Sequence, residues 1–192
     1  MPEAILPPRL ADGQVGVRAL ARADIPTLVA ACQDPEIPRW TNVPSPYLRE
    51  DAERFLAIVA TESASGEGIA LAVTDAAGNE LIGTVGVSAV PTGCGEVGYW
   101  IAAWARGRGA APRAVRLLRG WAQAELGLAE LEILAHRDND RSRRVAVAAG
   151  FTDTGVVRSL PRMPPGRRDG YVRYVARSDV IPAPTRARRP RR

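Results

Sequence analysis

The stretch of this chain best equipped for chemistry is Tyr99-Trp100-Ile101-Ala102-Ala103-Trp104-Ala105-Arg106-Gly107-Arg108-Gly109-Ala110-Ala111-Pro112-Arg113. It reads as a strand running into a glycine-rich, arginine-studded turn that opens an amphipathic helix, and that arrangement binds anions. The first amides of a helix have no intrahelical partner, and the macrodipole adds partial positive charge there, so backbone alone can hold a phosphate. Gly107 and Gly109 permit close approach, and Pro112 suits a first helical turn because its missing N–H would have had no acceptor. Other chemistries are poorly provided for. The turn lacks the Gly-Lys-Ser/Thr ending that contacts phosphate and magnesium. The chain has no lysine, which excludes a Schiff base, and Cys32 and Cys94 share no metal-ligand spacing and precede no nucleophile-like turn. The single histidine, His136, follows a short apolar strand, where a structural role is the expectation.

The elements that must position this turn follow from the hydrophobic periodicity. Val15–Leu20 alternates as a first strand, and Asp24 caps a helix through about Cys32, with Ile25, Leu28 and Val29 on one face. Asp34 to Tyr47 contains Pro35, Pro38, Pro44 and Pro46 with Trp40 and Tyr47, and cannot be one regular element; a long loop in a compact domain is more often functional than accidental. A helix follows over Arg49–Thr61. Strands Ile69–Val73 and Leu81–Val87 flank the turn Asp75-Ala76-Ala77-Gly78-Asn79. The strand Glu96–Ile101 then puts Glu96, Gly98 and Trp100 on one face and Val97, Tyr99 and Ile101 on the other.

The helix over Pro112–Leu126 buries Ala111, Ala114, Val115, Leu118, Trp121 and Ala122 and leaves Arg113, Arg116 and Arg119 wet. A strand at Leu131–Ala135 lies parallel to the Glu96 strand if that helix is a crossover. The polar turn His136–Asp140, a helix Arg141–Ala149 stopped by Gly150, and strands Phe151–Val157 and Tyr171–Ala176 complete the pattern. The connection Arg158–Asp169 is rich in Pro, Arg and Gly and is expected to be mobile.

With 192 residues and 46% hydrophobic residues, the chain is long enough for one well-cored domain and too short for two ordinary ones. The net charge of +5 suggests a nucleic-acid partner until it is located. Arg186, Arg188, Arg189, Arg191 and Arg192 lie in the last eleven residues with no acid, so the rest of the chain carries 21 arginines against 21 acids. The expected organisation is therefore a folded domain over 1–181 and a disordered Pro/Arg-rich tail over 182–192, which either touches RNA, the ribosome or another acidic partner weakly or simply stays solvated. No secretory leader or membrane-length apolar run is present, so a cytoplasmic, reducing location is expected, with no membrane association.

The order of elements, together with Arg106-Gly107-Arg108-Gly109-Ala110-Ala111, Gly98-Tyr99-Trp100-Ile101, Asn139 followed by Ser142, Gly150-Phe151, and Asp34-Pro35 to Pro44-Ser45-Pro46-Tyr47, resembles the GNAT family of acyl-CoA-dependent N-acetyltransferases. The likeness covers Val15 to Ala176 and is nearest to the Rim-type ribosomal-protein alanine N-acetyltransferases, whose relatives include enzymes acting on small amines. It implies a single α/β (α+β) domain: a mixed, mostly antiparallel twisted sheet of about six to seven strands, a central parallel pair splayed at the cofactor site, and about four flanking helices. It also implies acetyl-CoA as the donor, no metal, and direct attack by an amine in a ternary complex.

Residue by residue, the resemblance implies that amides from Arg108, Gly109, Ala110 and Ala111 hold the pyrophosphate, helped by Arg106, Arg108 or Arg113, and that pantetheine runs along Tyr99, Trp100 and Ile101. Glu96 is the candidate base, directly or through a water, and a backbone N–H near Tyr99 or Trp100 the candidate oxyanion donor. Ser142 is the candidate donor to the leaving sulfur. Asn139 is a candidate coenzyme A ligand, against a plain capping role. Glu96 and, from the early loop, Trp40 and Tyr47 are expected to line the acceptor pocket, against a core role for the two aromatics. The acceptor is expected to be a protein N-terminus or a small-molecule amine and the assembly a monomer or homodimer; the alternative is a non-catalytic acyl-CoA sensor or an RNA-associated module using the tail.

Overall fold

The structure, a computed structural model, describes residues 9–77, 80–89, 94–163 and 166–178. The tail over 182–192 and part of the turn at 75–79 lie outside them. The described residues form one eight-stranded sheet in the order β1-β2-β3-β4-β5-β6-β8-β7. Its strands are β1 (Leu10–Ala11), β2 (Gly16–Ala19), β3 (Gly68–Thr74), β4 (Leu81–Ala89), β5 (Cys94–Ile101), β6 (Glu130–His136), β7 (Thr152–Arg158) and β8 (Tyr171–Arg177). The helices are α1 (Ile25–Ala31), α2 (Glu36–Trp40), α3 (Arg49–Ser65), α4 (Ala110–Glu125) and α5 (Asp140–Ala148). The sequence pattern implied seven strands and four helices; the additions are the two-residue β1 and the one-turn α2. Helix α2 forms despite its prolines because Pro35 precedes it and Pro38 falls in its first turn, where no N–H is needed. The Asp34 carboxylate also accepts the Glu36 N–H at 3.1 Å.

The two faces of the sheet carry separate cores. On one, α4 lays Ala114, Val115, Leu118, Trp121 and Ala122 against Val85, Val97, Leu131 and Ile133. On the other, Ile25, Leu28, Cys32, Ile37, Tyr47 and Ala52 pack against Ala72 and Leu81. The arginines expected to be wet on α4 do reach solvent, with Arg116 exposed and Arg113 and Arg119 half-buried, and each is also tied down. Arg116 donates to Ala148 O, and Arg119 donates to Ala149 O and Gly150 O, so α4 caps the carbonyl end of α5; Arg113 pairs with Asp12 at 2.9 Å.

Asp24 does not cap α1 with its side chain. Its buried carboxylate receives a two-pronged bond from Arg18 at 2.8 Å on each oxygen, and the Ala21 N–H at 2.8 Å. Burial opposes ionisation of Asp24, but the Arg18 guanidinium and the Ala21 amide outweigh it and hold the carboxyl below its usual range. The folded pKa is depressed, so this stabilisation is present at neutral pH and is lost as pH falls through the acid range. Asp24→Ala leaves Arg18 unpaired beside the core and is expected to cost about 3 kcal/mol in denaturant unfolding at pH 7. The deficit should shrink toward zero in strongly acidic buffer.

Candidate active site

The site is built on an interruption of the sheet. β5 and β6 run parallel but pair only over Cys94↔Glu130, Gly95↔Leu131 and Glu96↔Glu132. Beyond that point the strands part, while β5 continues along β4 as far as Gly83↔Ile101 and β6 continues along β8 as far as His136↔Tyr171. The fork therefore starts at Glu96, well before the glycine turn. It leaves the facing edges of Gly98–Ile101 and Ile133–Ala135 without strand partners, open to an extended ligand.

A cleft of about 1010 Å³ fills the fork. One end is lined by Arg106, Gly107, Gly109, Ala110 and Ala111 at the start of α4. Gly107 and Gly109 both adopt left-handed backbone, with φ of 78° and 74°, which L-residues rarely adopt. A side chain placed on either would meet essentially open space, so backbone conformation is what requires glycine there. Arg144 and Arg141 of α5 line the cleft as well. The cleft lining thus combines a helix start with arginines of α5.

Across the cleft stand Asn139, Ser142 and Tyr99. Asn139 Oδ1 accepts the Ser142 N–H at 3.0 Å and caps α5, which leaves the Asn139 amide nitrogen for a ligand. The Tyr99 hydroxyl lies 2.8 Å from Ser142 Oγ and 3.2 Å from Ser142 O. Burial pushes the Tyr99 phenol up to about 12, so it carries its proton at neutral pH.

Glu36, Trp40, Glu96, Leu160, Arg162 and Tyr171 also line the cleft. Glu96 is ion-paired with Arg162, a residue of the β7–β8 connection. Burial pushes the Glu96 carboxyl up, Arg162 and Arg158 pull it back, and Glu132 beside it on β6 pushes it up further; the net direction is upward. Glu132 is itself held by Arg173 of β8. Trp40 donates its indole N–H to Glu36 at 3.4 Å, and its ring stands 5.6 Å from that of His136. His136 does not line the cleft; its Nδ1 accepts the Asp138 N–H at 3.2 Å and its ring meets Tyr171 edge-on at 5.3 Å.

Residues 14–152 match the family model described as the acetyltransferase (GNAT) domain. The chain belongs to the GNAT acetyltransferase family. Acetyl-CoA is accordingly its acyl donor, and it is an N-acetyltransferase. Comparison with curated protein sequences returns no match. Among solved structures, the chain is similar to Mycobacterium smegmatis RimJ in complex with CoA-disulfide, with TM-score 0.78 and 16% identity over 93% of this chain and 89% of that one. It is similar to the ribosomal-protein-S5-alanine acetyltransferase from Vibrio fischeri, with TM-score 0.77 and 19% identity over 90% and 98% of the respective chains. An acetyltransferase from Agrobacterium tumefaciens str. C58 gives TM-score 0.70 and 24% identity over 91% and 96%. These likenesses show the fold. No described helix is long and apolar enough to cross a membrane, and no described cluster of His, Cys, Asp and Glu is arranged to hold a metal ion.

In this GNAT domain, the expected site residues divide into those the fold brings together and those it does not. Glu96, Tyr99, Trp100, Ile101, Arg106, Gly109, Ala110, Ala111, Asn139, Ser142 and Trp40 all line one cleft. Arg108 and Arg113 do not, and Arg113 is committed to Asp12. Arg106 lines the cleft but spends its guanidinium on Ile101 O at 2.9 Å and Asp34 at 2.6 Å, bracing the glycine turn. Tyr47 is a correction: it is 5% exposed, sits in the second core with Ile37 and Cys32, and lies off the cleft. Arg141, Arg144, Arg162, Glu132 and Arg173 were not anticipated. For Arg144 the available signal was its place two residues beyond Ser142 in the turn of helix that follows the cap.

Proposed function

We propose that this acetyltransferase moves an acetyl group from acetyl-CoA to a primary amine by direct attack in a ternary complex, with Glu96 as base and the Ser142–Tyr99 pair as donor to the leaving thiolate. The observation that carries the reading is the fork. It brings a largely desolvated carboxylate of β5, a hydroxyl pair joining β5 to α5, and a glycine-rich helix start into the lining of one cleft. The amides at the start of α4, Arg144 and the Asn139 side-chain amide would hold coenzyme A's phosphates, and the unpaired edge of Gly98–Ile101 would hold pantetheine as an added strand.

Glu96 takes a proton from the acceptor ammonium, and a carboxylate whose pKa is raised does this better near neutral pH than an ordinary one. The amine nitrogen then attacks the thioester carbonyl, the C–S bond breaks, the negative charge passes to sulfur, and the second proton lost from nitrogen ends on that thiolate. A Tyr99 O–H donating to Ser142 Oγ would free the Ser142 hydrogen for that sulfur, which a lone serine, a poor acid, supplies less well. A backbone N–H near Tyr99 or Trp100 serves the developing oxyanion. Gly98 faces the acceptor side, where an added Cβ would meet no protein atom. Gly98→Leu is expected to fold normally and raise the acceptor KM about tenfold in steady-state assays while coenzyme A still binds.

The donor end is tested by calorimetry. Coenzyme A should bind the full chain saturably, and Gly109→Trp, which forces an L-residue into a left-handed position and fills the approach to the amides, should weaken it at least about tenfold. Unchanged affinity would remove the glycine turn from the site.

A further inference from the structure

Arg162 raises a question that catalysis leaves open. A base meant for an ammonium should not need a resident guanidinium, yet Glu96 is paired with one supplied by the β7–β8 connection. The same connection is fastened over the cleft at a second place, where the Arg167 guanidinium donates to the carbonyls of Pro38 and Arg39 on α2. The walls at the acceptor end are therefore bridged, and Ile37, Trp40, Leu160 and Met163 line the same cleft. Those side chains are apolar or aromatic. Two ion pairs stand beside them: Glu96–Arg162, with Arg158 also acting on Glu96, and Glu36–Arg39, whose members bond the Trp40 indole N–H and stack on its ring.

We propose that Glu96 and Arg162 together read a zwitterionic acceptor, a free α-amino acid with an apolar side chain, whose ammonium replaces Arg162 at Glu96 and whose carboxylate takes the guanidinium released. This rests on Glu96 being the base of the reaction proposed above. The exchange leaves no charge unmatched: Glu96, with 27% of its side chain exposed, keeps a cation throughout, and Arg162, at 48%, is free enough to follow the carboxylate. A simple amine would strand Arg162 without its partner, and so would a peptide N-terminus, whose first carboxylate has become an amide. The two protein groups start in contact, so the acceptor's charges must be close together, and one intervening carbon meets that requirement. The apolar side chain then has Trp40, Leu160 and Met163 to pack against.

The experiment measures kcat/KM by free-thiol release from acetyl-CoA with the full chain and matched acceptors: L-phenylalanine, its primary amide, 2-phenylethylamine and the dipeptide Phe-Ala, with the corresponding leucine series. The acid should exceed each of the others by at least about tenfold, which corresponds to 1.4 kcal/mol. The amide is the stringent comparison, because its less basic amine would react faster if the carboxylate did nothing. In Arg162→Gln the ratio of acid to amide should fall toward one, and Arg162→Lys should restore part of it. A ratio near one in the unaltered protein, a ratio that survives Arg162→Gln, or a preference for the dipeptide would each overturn the proposal while leaving the acetyl-transfer reading in place. Coenzyme A binding with no thiol release on any amine would overturn both.

Discussion

Glu96→Gln is expected to lower kcat/KM for the acceptor amine by about 10²- to 10⁴-fold, the range a positioned general base contributes, while coenzyme A affinity measured by calorimetry stays in place. The shape of the pH profile carries as much information as its height. In the unaltered protein the rate should rise with pH through the Glu96 titration, which burial displaces upward from the usual carboxylate range; in the variant that rising limb should disappear. Stability should move the other way. The folded-state pKa of Glu96 lies above its unfolded value, so the folded protein holds the proton more tightly, and stability falls as pH rises through that window. Once ionised, Glu96 carries a desolvation cost to folding that glutamine removes. The melting temperature of Glu96→Gln should therefore be no lower than that of the parent. A variant that lost activity and melting temperature together would point to a structural carboxylate.

The second large effect concerns the hydroxyl pair. Ser142→Ala and Tyr99→Phe should each reduce kcat by about 10²-fold, the scale of losing one preorganised donor to developing charge. The double variant should be scarcely worse than the more damaging single one, because the two hydroxyls are 2.8 Å apart and act as one chain. The bland alternative predicts a different signature. If the contact only ties α5 to β5, Tyr99→Phe lowers unfolding free energy by about 1 kcal/mol and leaves kcat alone. Steady-state kinetics beside denaturant unfolding on the same three proteins separates the two.

The donor end of the site was more legible in the sequence than the acceptor end, and the reasons are physical. Gly107 and Gly109 announce themselves because their backbone angles are closed to most other residues, and α4 because its apolar stripe recurs at helical spacing. Alternation along β5 separates Tyr99, which packs against the α4 core, from Trp100, which packs against the other, and that follows from period-2 geometry alone. The point where β5 and β6 part is a matter of pairing between strands far apart in sequence, and no local pattern reports it. Glu132 and Arg173 went unread for the same reason: each alternates normally within its own strand, and only the register sets Glu132 beside Glu96 and Arg173 within reach of Glu132. Arg162 and Arg167 sit in a segment whose composition signals a loop and nothing more, so their reach to Glu96 and α2 depends wholly on tertiary placement. Tyr47 shows the opposite error. An aromatic at the end of a proline-rich loop suits a pocket wall and a core equally well by composition; here α1 and α3 close over it, and burial pushes its hydroxyl up to about 12.

The most direct test of the central claim is the amine-dependent release of free thiol from acetyl-CoA by the full chain, with the acylated product followed by mass. Thiol and N-acetylated amine should appear in equal amounts, at a rate that saturates in both substrates and collapses in Glu96→Gln. Coenzyme A binding accompanied by thiol release no faster than background hydrolysis, across free amino acids, simple amines and N-terminal peptides alike, would contradict it.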